Sequence, residues 1–262
     1  MPKEFTIDNK IIWRRNASDD ISNVFYPSFY KDINKRESFF NENFKVQFTD
    51  ADVDKMEKFF LPLYAKEVMS REDFTLDKKT IATELIEKIK TSDIYKFLFI
   101  FHKDELVASV LFSIKDGGLF VSYRTFNRGF DKNLSHKATV NYWSEKLIFN
   151  HGKEQGASFY SYGKDSNPYI GKTRLGLSLY KIKTGMKPRK PLPTTAFETN
   201  KFDDAFFIEK SEPILFFSNA DENEFYKECY LYYPHDSIND SYLKEFEKVL
   251  NWARIKFNPI SY

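Results

Sequence analysis

The residues of this chain that could do chemistry are a few histidines, carboxylates and lysines near the ends of expected elements. The chain has four histidines, and His136 lies in the first turn of a long expected helix. Asp165 directly follows an expected strand, and Tyr180 and Lys183 lie in a helical or irregular stretch after it. An imidazole or a carboxylate can take a proton from an attacking amine, and a lysine can stabilise a developing oxyanion.

Each of these residues also has a purely structural interpretation. His136 could be an exposed residue of a capping turn, and Asp165 could form a turn, as Asp and Asn usually do in loops. Lys183 could balance the helix macrodipole just before Gly185. The residue types therefore name candidates for a site, and their functional and structural interpretations both stay open.

Composition excludes several other kinds of site. The single cysteine, Cys229, excludes a disulfide scaffold and a cysteine-based zinc cluster, and the sequence has no phosphate-binding Walker loop and no Gly-x-Ser-x-Gly elbow. The near balance of 40 basic and 38 acidic residues gives no overall nucleic-acid signature. Five Lys or Arg residues between 181 and 190 could still meet tRNA or a nucleotide-linked sugar, or simply form a solvated loop.

Hydrophobic periodicity predicts the elements that position these candidates. A strand is expected at 44–48, followed by two helices, and residues 95–125 have the pattern of a three-stranded antiparallel meander with a turn at 116–118. A polar loop then leads to a long helix that Ser135 is expected to cap, and a further strand follows at 157–162. Because a helix connects the two strands around it, those strands should run parallel.

The order of elements suggests three parts of the chain. Residues 1–43 are interpreted as an N-terminal extension, helical near 19–34, residues 44–217 as the core, and residues 218–262 as a C-terminal strand and helix cap. Within the core, two more strands are expected near 205–208 and 214–217. No apolar run is long enough for a membrane span or a signal peptide, so we expect a cytoplasmic, bacterial-type setting.

The element order and two segments, residues 156–163 and 176–186, resemble the GNAT acyltransferase superfamily, in its non-standard, peptidoglycan-bridge (Fem-like) branch. The second segment carries Gly-Leu and then Ile182-Lys-Thr-Gly-Met186, where the family has aromatic residues at both ends. The resemblance implies a mixed α/β fold with a central, mostly antiparallel sheet and one parallel strand pair. In this fold that pair splays apart, and unpaired backbone groups at the gap bind the acyl donor.

The resemblance also implies which residues bind the donor. The two strands of the gap would end near Thr125 and near Tyr162. Tyr123, Arg124 and Thr125 would lie at the end of the first strand, at the edge of the gap. Arg128, Gly129 and the helix start at Ser135 would hold a pyrophosphate through backbone N–H groups and the helix dipole. The family's Gly-rich turn is reduced to Gly129, so the donor could be an acyl-CoA, an aminoacyl-tRNA as in Fem-like members, or none at all in a non-catalytic binding module.

The function that the resemblance implies is acyl transfer from an acyl-CoA-type thioester to a primary amine of a small molecule, a sugar or an amino acid. The candidate catalytic residues are Asp165, His136, Tyr180 and Lys183. A metal is not expected, and nucleic acid is expected only as tRNA. Aromatic residues near both termini are compatible with a homodimer.

Overall fold

The structure is a computed structural model, and it describes residues 5–17, 20–71, 77–133, 139–191, 199–202, 212–234, 238–250 and 253–260. Contacts divide the chain into two compact units, which we call the central unit, residues 16–160, and the split unit, residues 1–15 and 161–262. The domain boundaries expected after residues 43 and 217 divide the chain differently and stay a prediction.

The described elements alternate between strands and helices. The strands are β1 (Phe5–Asp8), β2 (Lys10–Asn16), β3 (Phe44–Asp50), β4 (Tyr95–His102), β5 (Glu105–Lys115), β6 (Gly118–Phe126), β7 (Phe159–Ser166), β8 (Tyr169–Ile170), β9 (Lys187–Arg189), β10 (Thr199–Phe202), β11 (Ile214–Ala220), β12 (Tyr226–Pro234) and β13 (Arg254–Ile260). The helices are α1 (Ile21–Val24), α2 (Pro27–Lys35), α3 (Glu37–Asn43), α4 (Val53–Lys55), α5 (Leu61–Tyr64), α6 (Lys78–Lys90), α7 (Arg128–Asn133), α8 (Val140–Glu154), α9 (Lys172–Lys183) and α10 (Asp240–Val249).

The meander predicted from the sequence is confirmed in the central unit. Strands β3, β4, β5 and β6 lie side by side, and each runs antiparallel to its neighbour. Asp116 and Gly117 have φ angles of 50° and 69° between β5 and β6. Two successive residues with positive φ are typical of the tight hairpin turn whose twist matches that of the strands.

One face of this sheet is covered by two helical segments. The first is continuous from Val53 to Met69 and widens into π-helical turns at Met56–Phe60 and Ala65–Met69, on either side of α5. Proline usually bends or ends a helix, but this helix continues for seven residues beyond Pro62. Together with α6 it buries an aliphatic and aromatic cluster against the sheet, made of Met56, Phe60, Tyr64, Met69, Ile81, Leu85, Ile89, Phe97, Phe99 and Leu111.

The long helix begins later than the sequence predicted. Thr139 caps α8, with its Oγ1 accepting a hydrogen bond from the backbone N–H of Tyr142 at 3.4 Å. Ser135 itself lies outside the described residues. The predicted buried positions Val140 and Trp143 are buried, with 1% exposure each.

Helix α8 leads back to the sheet, and the next strand starts beside the start of β6. The backbone N–H of Ser158 donates to the carbonyl of Gly117 at 2.7 Å, and its hydroxyl donates to the same carbonyl at 2.8 Å. Because β6 and β7 begin side by side, they leave this point in the same direction, which confirms the expected parallel pair. The divergence expected near Thr125 and Tyr162 involves residues of both units and stays a prediction.

The split unit holds strands that the sequence predicted only in part. Strands β13, β12, β11 and β8 form one sheet in that order, β1 pairs with β10, and β2 pairs with β9. Helix α10 connects β12 to β13, which run parallel. Of the two strands predicted here, 214–217 is confirmed as part of β11, and 205–208 lies outside the described residues. Strands β1 and β2 were missed, because they lie in the stretch interpreted as an extension.

The contact of α8 with the parallel pair predicts an unusual response to a glycine substitution. Gly152 is buried in α8, and a Cβ there would lie 2.7 Å from Cε1 of Tyr160 and 2.8 Å from Cδ1 of Leu119. Gly152→Ala should therefore lower the free energy of unfolding by about 1–3 kcal/mol, as overpacking does. Urea denaturation measures this change.

A matched control exists in another helix. Gly176 lies in α9, and a Cβ there would meet no atom of the described residues within 4 Å. Gly176→Ala should raise the free energy of unfolding by about 0.5–1 kcal/mol, because alanine has the higher helix propensity. If both substitutions stabilise the protein, the close contact of α8 with β6 and β7 is wrong.

Candidate active site

The predicted site residues fall into both units. Tyr123, Arg124 and Thr125 lie on β6, and Arg128 and Gly129 lie on α7, all in the central unit. Asp165 lies on β7, and Tyr180 and Lys183 lie on α9, in the split unit. His136 and Ser135 lie outside the described residues.

Arg124 is held by the long helix of the central unit. Its guanidinium forms an ion pair with the Glu145 carboxylate, and Nη2 donates to Oγ of Ser144 at 3.0 Å. Nη2 also approaches the carbonyl of Asn141 at 3.4 Å. Since the Glu145 side chain is only 3% exposed, the pair is well shielded from water, and it ties β6 to α8. A role for Arg124 in donor binding stays a prediction.

The two neighbours of Arg124 point to the opposite face of β6, as alternate residues of a strand do. The Tyr123 ring meets Tyr64 edge-to-face with centroids 5.9 Å apart, and the Lys88 ammonium lies 5.5 Å from its centroid. The buried Thr125 hydroxyl donates to the carbonyl of Leu63 at 3.4 Å. Burial raises the pKa of Tyr64 to about 12, so this phenol stays neutral. These side chains therefore pack against the helix, and a donor could be bound by backbone groups of β6.

The segment expected to be a polar loop is helical. Arg128 and Gly129 open the short helix α7, and its first N–H groups already have acceptors. The Arg128 N–H lies 3.3 Å from Oε2 of Glu67, and the Phe130 N–H donates to Oδ1 of Asn127 at 3.0 Å. Two amides that would face a pyrophosphate in the expected loop are thus occupied by side chains of the protein.

The described histidines of the central unit pack against aromatic rings. His102 lies 5.1 Å from the Phe44 ring and 4.9 Å from the Phe130 ring, measured between centroids. His151 stacks on Phe48 at 4.0 Å with an interplanar angle of 10°, and burial lowers its pKa. Both imidazoles therefore act as half-buried packing groups.

In the split unit, Asp165 is part of a buried polar cluster. It lies near the end of β7, which runs on to Ser166, so Asp165 belongs to the strand that it was expected to follow. Its carboxylate forms an ion pair with the Lys181 ammonium of α9, and both side chains are 11% exposed. Tyr169 donates to the same carboxylate and accepts a hydrogen bond of 2.5 Å from Nε1 of Trp13. The Lys181 ammonium also lies 5.6 Å from the centroid of the Trp13 ring.

This cluster fixes the protonation state of its members. Burial opposes the charge on Asp165, but Lys181 and the hydrogen bonds from Tyr169 and Ser166 outweigh it and hold the pKa of Asp165 below its ordinary value. Burial and the Asp165 charge raise the pKa of Tyr169 well above its ordinary value. The cluster is therefore an ionised carboxylate with a neutral phenol, and a carboxylate with a lowered pKa is a weak general base. Its evident effect is to fix α9 against β7.

The cluster in turn positions the two other predicted residues on α9. Lys183 forms an ion pair with Glu245 of α10, and the side chains are 19% and 37% exposed. Tyr180 lies half-buried on the same helix, one turn before Thr184, whose N–H donates to the Tyr180 carbonyl at 3.1 Å. Lys183 is thus a cation near solvent whose partner is partly exposed.

Sequence reasoning missed the contributions of Trp13, Tyr169 and Lys181 to this cluster. Lys181 was noted as one of a run of basic residues, and Trp13 lies 156 residues before Tyr169 in the chain. No local pattern joins such distant residues, so only the folded chain brings them together. Asn167, a second polar residue after β7, exchanges two hydrogen bonds with the backbone of Phe217 and has a structural role.

The described residues contain neither a metal-binding group of side chains nor a membrane-spanning helix. No three His, Cys, Asp or Glu side chains there are grouped so that they could bind a metal ion. None of the helices in that part of the chain is both long and apolar enough to span a membrane.

Comparison with known proteins gives a fold likeness. No protein-family profile and no curated sequence matches the chain. Among solved structures, FemX is similar with a TM-score of 0.52 at 12% identity, over 68% of this chain and 59% of FemX. This likeness confirms the predicted fold, since the chain folds like FemX. It concerns the fold alone, since a fold does not determine a function.

Two further structures are similar at lower scores. A conserved protein of unknown function from Bacteroides thetaiotaomicron has a TM-score of 0.49 at 12% identity, over 77% of this chain and 62% of that one. L-PGS from Bacillus licheniformis has a TM-score of 0.42 at 10% identity, over 62% of this chain and 46% of L-PGS. The chain therefore spans roughly half to three fifths of the length of these proteins.

The buried ion pair predicts strong coupling between two substitutions. Asp165→Asn and Lys181→Met should each lower the free energy of unfolding by about 3–5 kcal/mol, because each leaves a buried charge unpaired. The double variant should cost much less than the sum. Urea denaturation of the four proteins at pH 7 measures this coupling.

An exposed pair in the central unit is the control. Lys90 and Glu87 lie 3.3 Å apart with more than half of each side chain exposed, so their coupling should stay below about 1 kcal/mol. Equal coupling in both pairs would contradict the assignment of a buried cluster.

Since the pKa of Asp165 is lowered on folding, its stabilising effect is complete above its ordinary pKa and is lost as pH falls through the folded value.

Proposed function

We propose that this chain is an acyltransferase that moves an acyl group from an activated carrier to a primary amine of a small molecule, a sugar or an amino acid. The observation that supports it is the fold: a mostly antiparallel sheet whose one parallel pair begins at Gly117 and Ser158, in a chain similar to FemX. In such a sheet the parallel pair is where an extended acyl carrier can bind as an extra strand.

The proposed reaction is direct attack without a covalent enzyme intermediate. The neutral amine nitrogen forms a bond to the acyl carbon, and the bond from that carbon to the carrier's sulfur or oxygen breaks. The amine loses one proton, and the leaving thiolate or alkoxide gains one. Backbone N–H groups of β6 would polarise the carbonyl. Because Asp165 is paired with Lys181 and has a lowered pKa, a water molecule is the favoured first proton acceptor.

Lys183 is the cation we assign to the developing negative charge. Its partner Glu245 is more than a third exposed, so the ion pair is partly screened by water and can be exchanged at little cost. Lys181, by contrast, is held in the buried cluster with Asp165. We therefore propose Lys181 as a positioning residue and Lys183 as the lysine that contacts the ligand.

The carrier is proposed first as an acyl-CoA-type thioester. A second carrier, aminoacyl-tRNA, is favoured by one specific observation. The amides of Arg128 and Phe130, near the predicted pyrophosphate position, are occupied by Glu67 and Asn127. A carrier that needs no pyrophosphate at α7 fits these contacts better.

The two carriers can be distinguished by binding. Acetyl-CoA, longer acyl-CoAs and plain CoA should raise the melting temperature if the carrier is a thioester. Aminoacyl-tRNA should instead give a gel shift that weakens steeply with salt, because phosphate contacts release counterions. Product formation with an amine, followed by mass spectrometry, then tests transfer. If no CoA compound raises the melting temperature, no gel shift occurs and no product forms, the acyltransferase proposal is wrong and a non-catalytic binding module is favoured.

The role of Lys183 can be tested once a substrate pair gives turnover. Lys183→Ala should lower kcat by about 10²-fold or more, as loss of an oxyanion donor does. Glu245→Gln keeps the shape of the lysine's partner and should retain most of the activity. Lys187→Ala, at an exposed position of the same basic segment, is the matched control. Full turnover by Lys183→Ala would remove this residue from the site.

A further inference from the structure

A groove of about 240 Å³ lies on the central unit, where the helix that spans α4 to Met69 meets the start of β5. Its apolar lining includes Phe59, Leu63 and Leu106. The Phe59 ring is fixed by the rings of Phe99 and Phe101, at centroid distances of 5.4 and 5.9 Å. The groove therefore has a stable apolar surface.

Charges of opposite sign line the same groove. Lys58 and Lys66 come from the helix, and Glu105 comes from the first residue of β5. The Glu105 carboxylate is oriented by Nδ2 of the buried Asn127, which donates to its Oε1 at 3.0 Å. Within the described part of the chain, neither lysine forms an ion pair with Glu105 across the groove. Lys66 lies 4.0 Å from Glu67, a long contact at the surface.

These charges suit a ligand that carries both signs. A molecule with one carboxylate and one ammonium could place the first near the lysines and the second near Glu105. An apolar body would then cover Phe59 and Leu106. The volume is below the range of about 300–1,000 Å³ that is typical for drug-sized ligands, so a ligand of the size of one amino acid fits best.

We propose that this groove binds a free α-amino acid with an apolar side chain, in its zwitterionic form. If the proposed function holds, on which this step rests, that amino acid is the amine acceptor of the transfer, and its ammonium gives one proton to water before the neutral amine attacks. The groove adjoins the end of β6, because the carbonyl of Leu63 accepts the hydroxyl of Thr125. Amine and carrier would thus be bound by neighbouring parts of the central unit.

Binding can be measured without any carrier. The full chain is titrated with L-leucine and L-phenylalanine by ligand-observed NMR and calorimetry. Two analogues remove one charge each: L-leucinamide lacks the carboxylate, and N-acetyl-L-leucine lacks the ammonium. The amino acids should bind, and each analogue should bind at least about two- to fivefold more weakly, the factor expected for one exposed ion pair.

Substitutions in the groove should reproduce the effect of the analogues. Glu105→Gln keeps an acceptor for Asn127. It should weaken the binding of L-leucine and leave the binding of N-acetyl-L-leucine as weak as it is to the unchanged protein. Lys58→Gln combined with Lys66→Gln should weaken the binding of L-leucine and leave the binding of L-leucinamide as weak as it is to the unchanged protein. Lys79→Gln and Glu84→Gln, at exposed positions of α6, are matched controls and should leave binding unchanged.

Two results would overturn the inference: no binding of any apolar amino acid, or equal binding of the amino acids and both analogues. The outcome is separable from that of the proposed function. If acyl transfer is unaffected by Glu105→Gln and by the lysine variants, the groove is not the acceptor site, but the chain is still an acyltransferase. If amino-acid binding depends on these residues but no carrier gives transfer, the groove binds amino acids and the acyltransferase proposal is wrong.

Discussion

One backbone carbonyl sets the geometry of the central unit. The Gly117 carbonyl ends the β5–β6 hairpin and accepts both the N–H and the hydroxyl of Ser158, so β7 must begin where β6 begins. The chain between them can then return only as a crossover, and α8 provides it. The close approach of α8 at Gly152 follows from the same constraint, because Tyr160 and Leu119 fill the space beside that glycine.

Two charged residues predicted for the site form ion pairs within the protein. Arg124 is paired with Glu145, and Asp165 with Lys181, in both cases with little exposure. A buried pair of this kind contributes little net stability, but breaking it is costly, so it fixes the position of the elements that carry it. The pair of Lys183 and Glu245 is partly exposed, and contact of Lys183 with a ligand stays a proposal.

The fold was predictable from the sequence where local patterns decide it. Alternating and continuous apolar runs predicted β4, β5 and β6, and the turn that Asp116 and Gly117 form between β5 and β6 was expected from its residues. Strands β1 and β2 were missed because their partners, β10 and β9, are distant in the chain and outside any sequence window. The start of α8 was placed too early, because several residues before Val140 are plausible caps and only one can act.

The sequence by itself determined the meander and its turn and the crossover helix, since each follows from periodicity and turn chemistry within a few dozen residues. The class of fold was implied by the resemblance of the element order to a known family. The sequence also named Asp165 and Lys183 as candidates. Only the tertiary structure decided that Asp165 pairs with Lys181 and accepts from Tyr169, which in turn accepts from Trp13. It also decided that Glu105 and two lysines line one groove. The reason is physical. Which charges are buried together depends on contacts between residues far apart in the chain, and local sequence patterns do not predict such contacts.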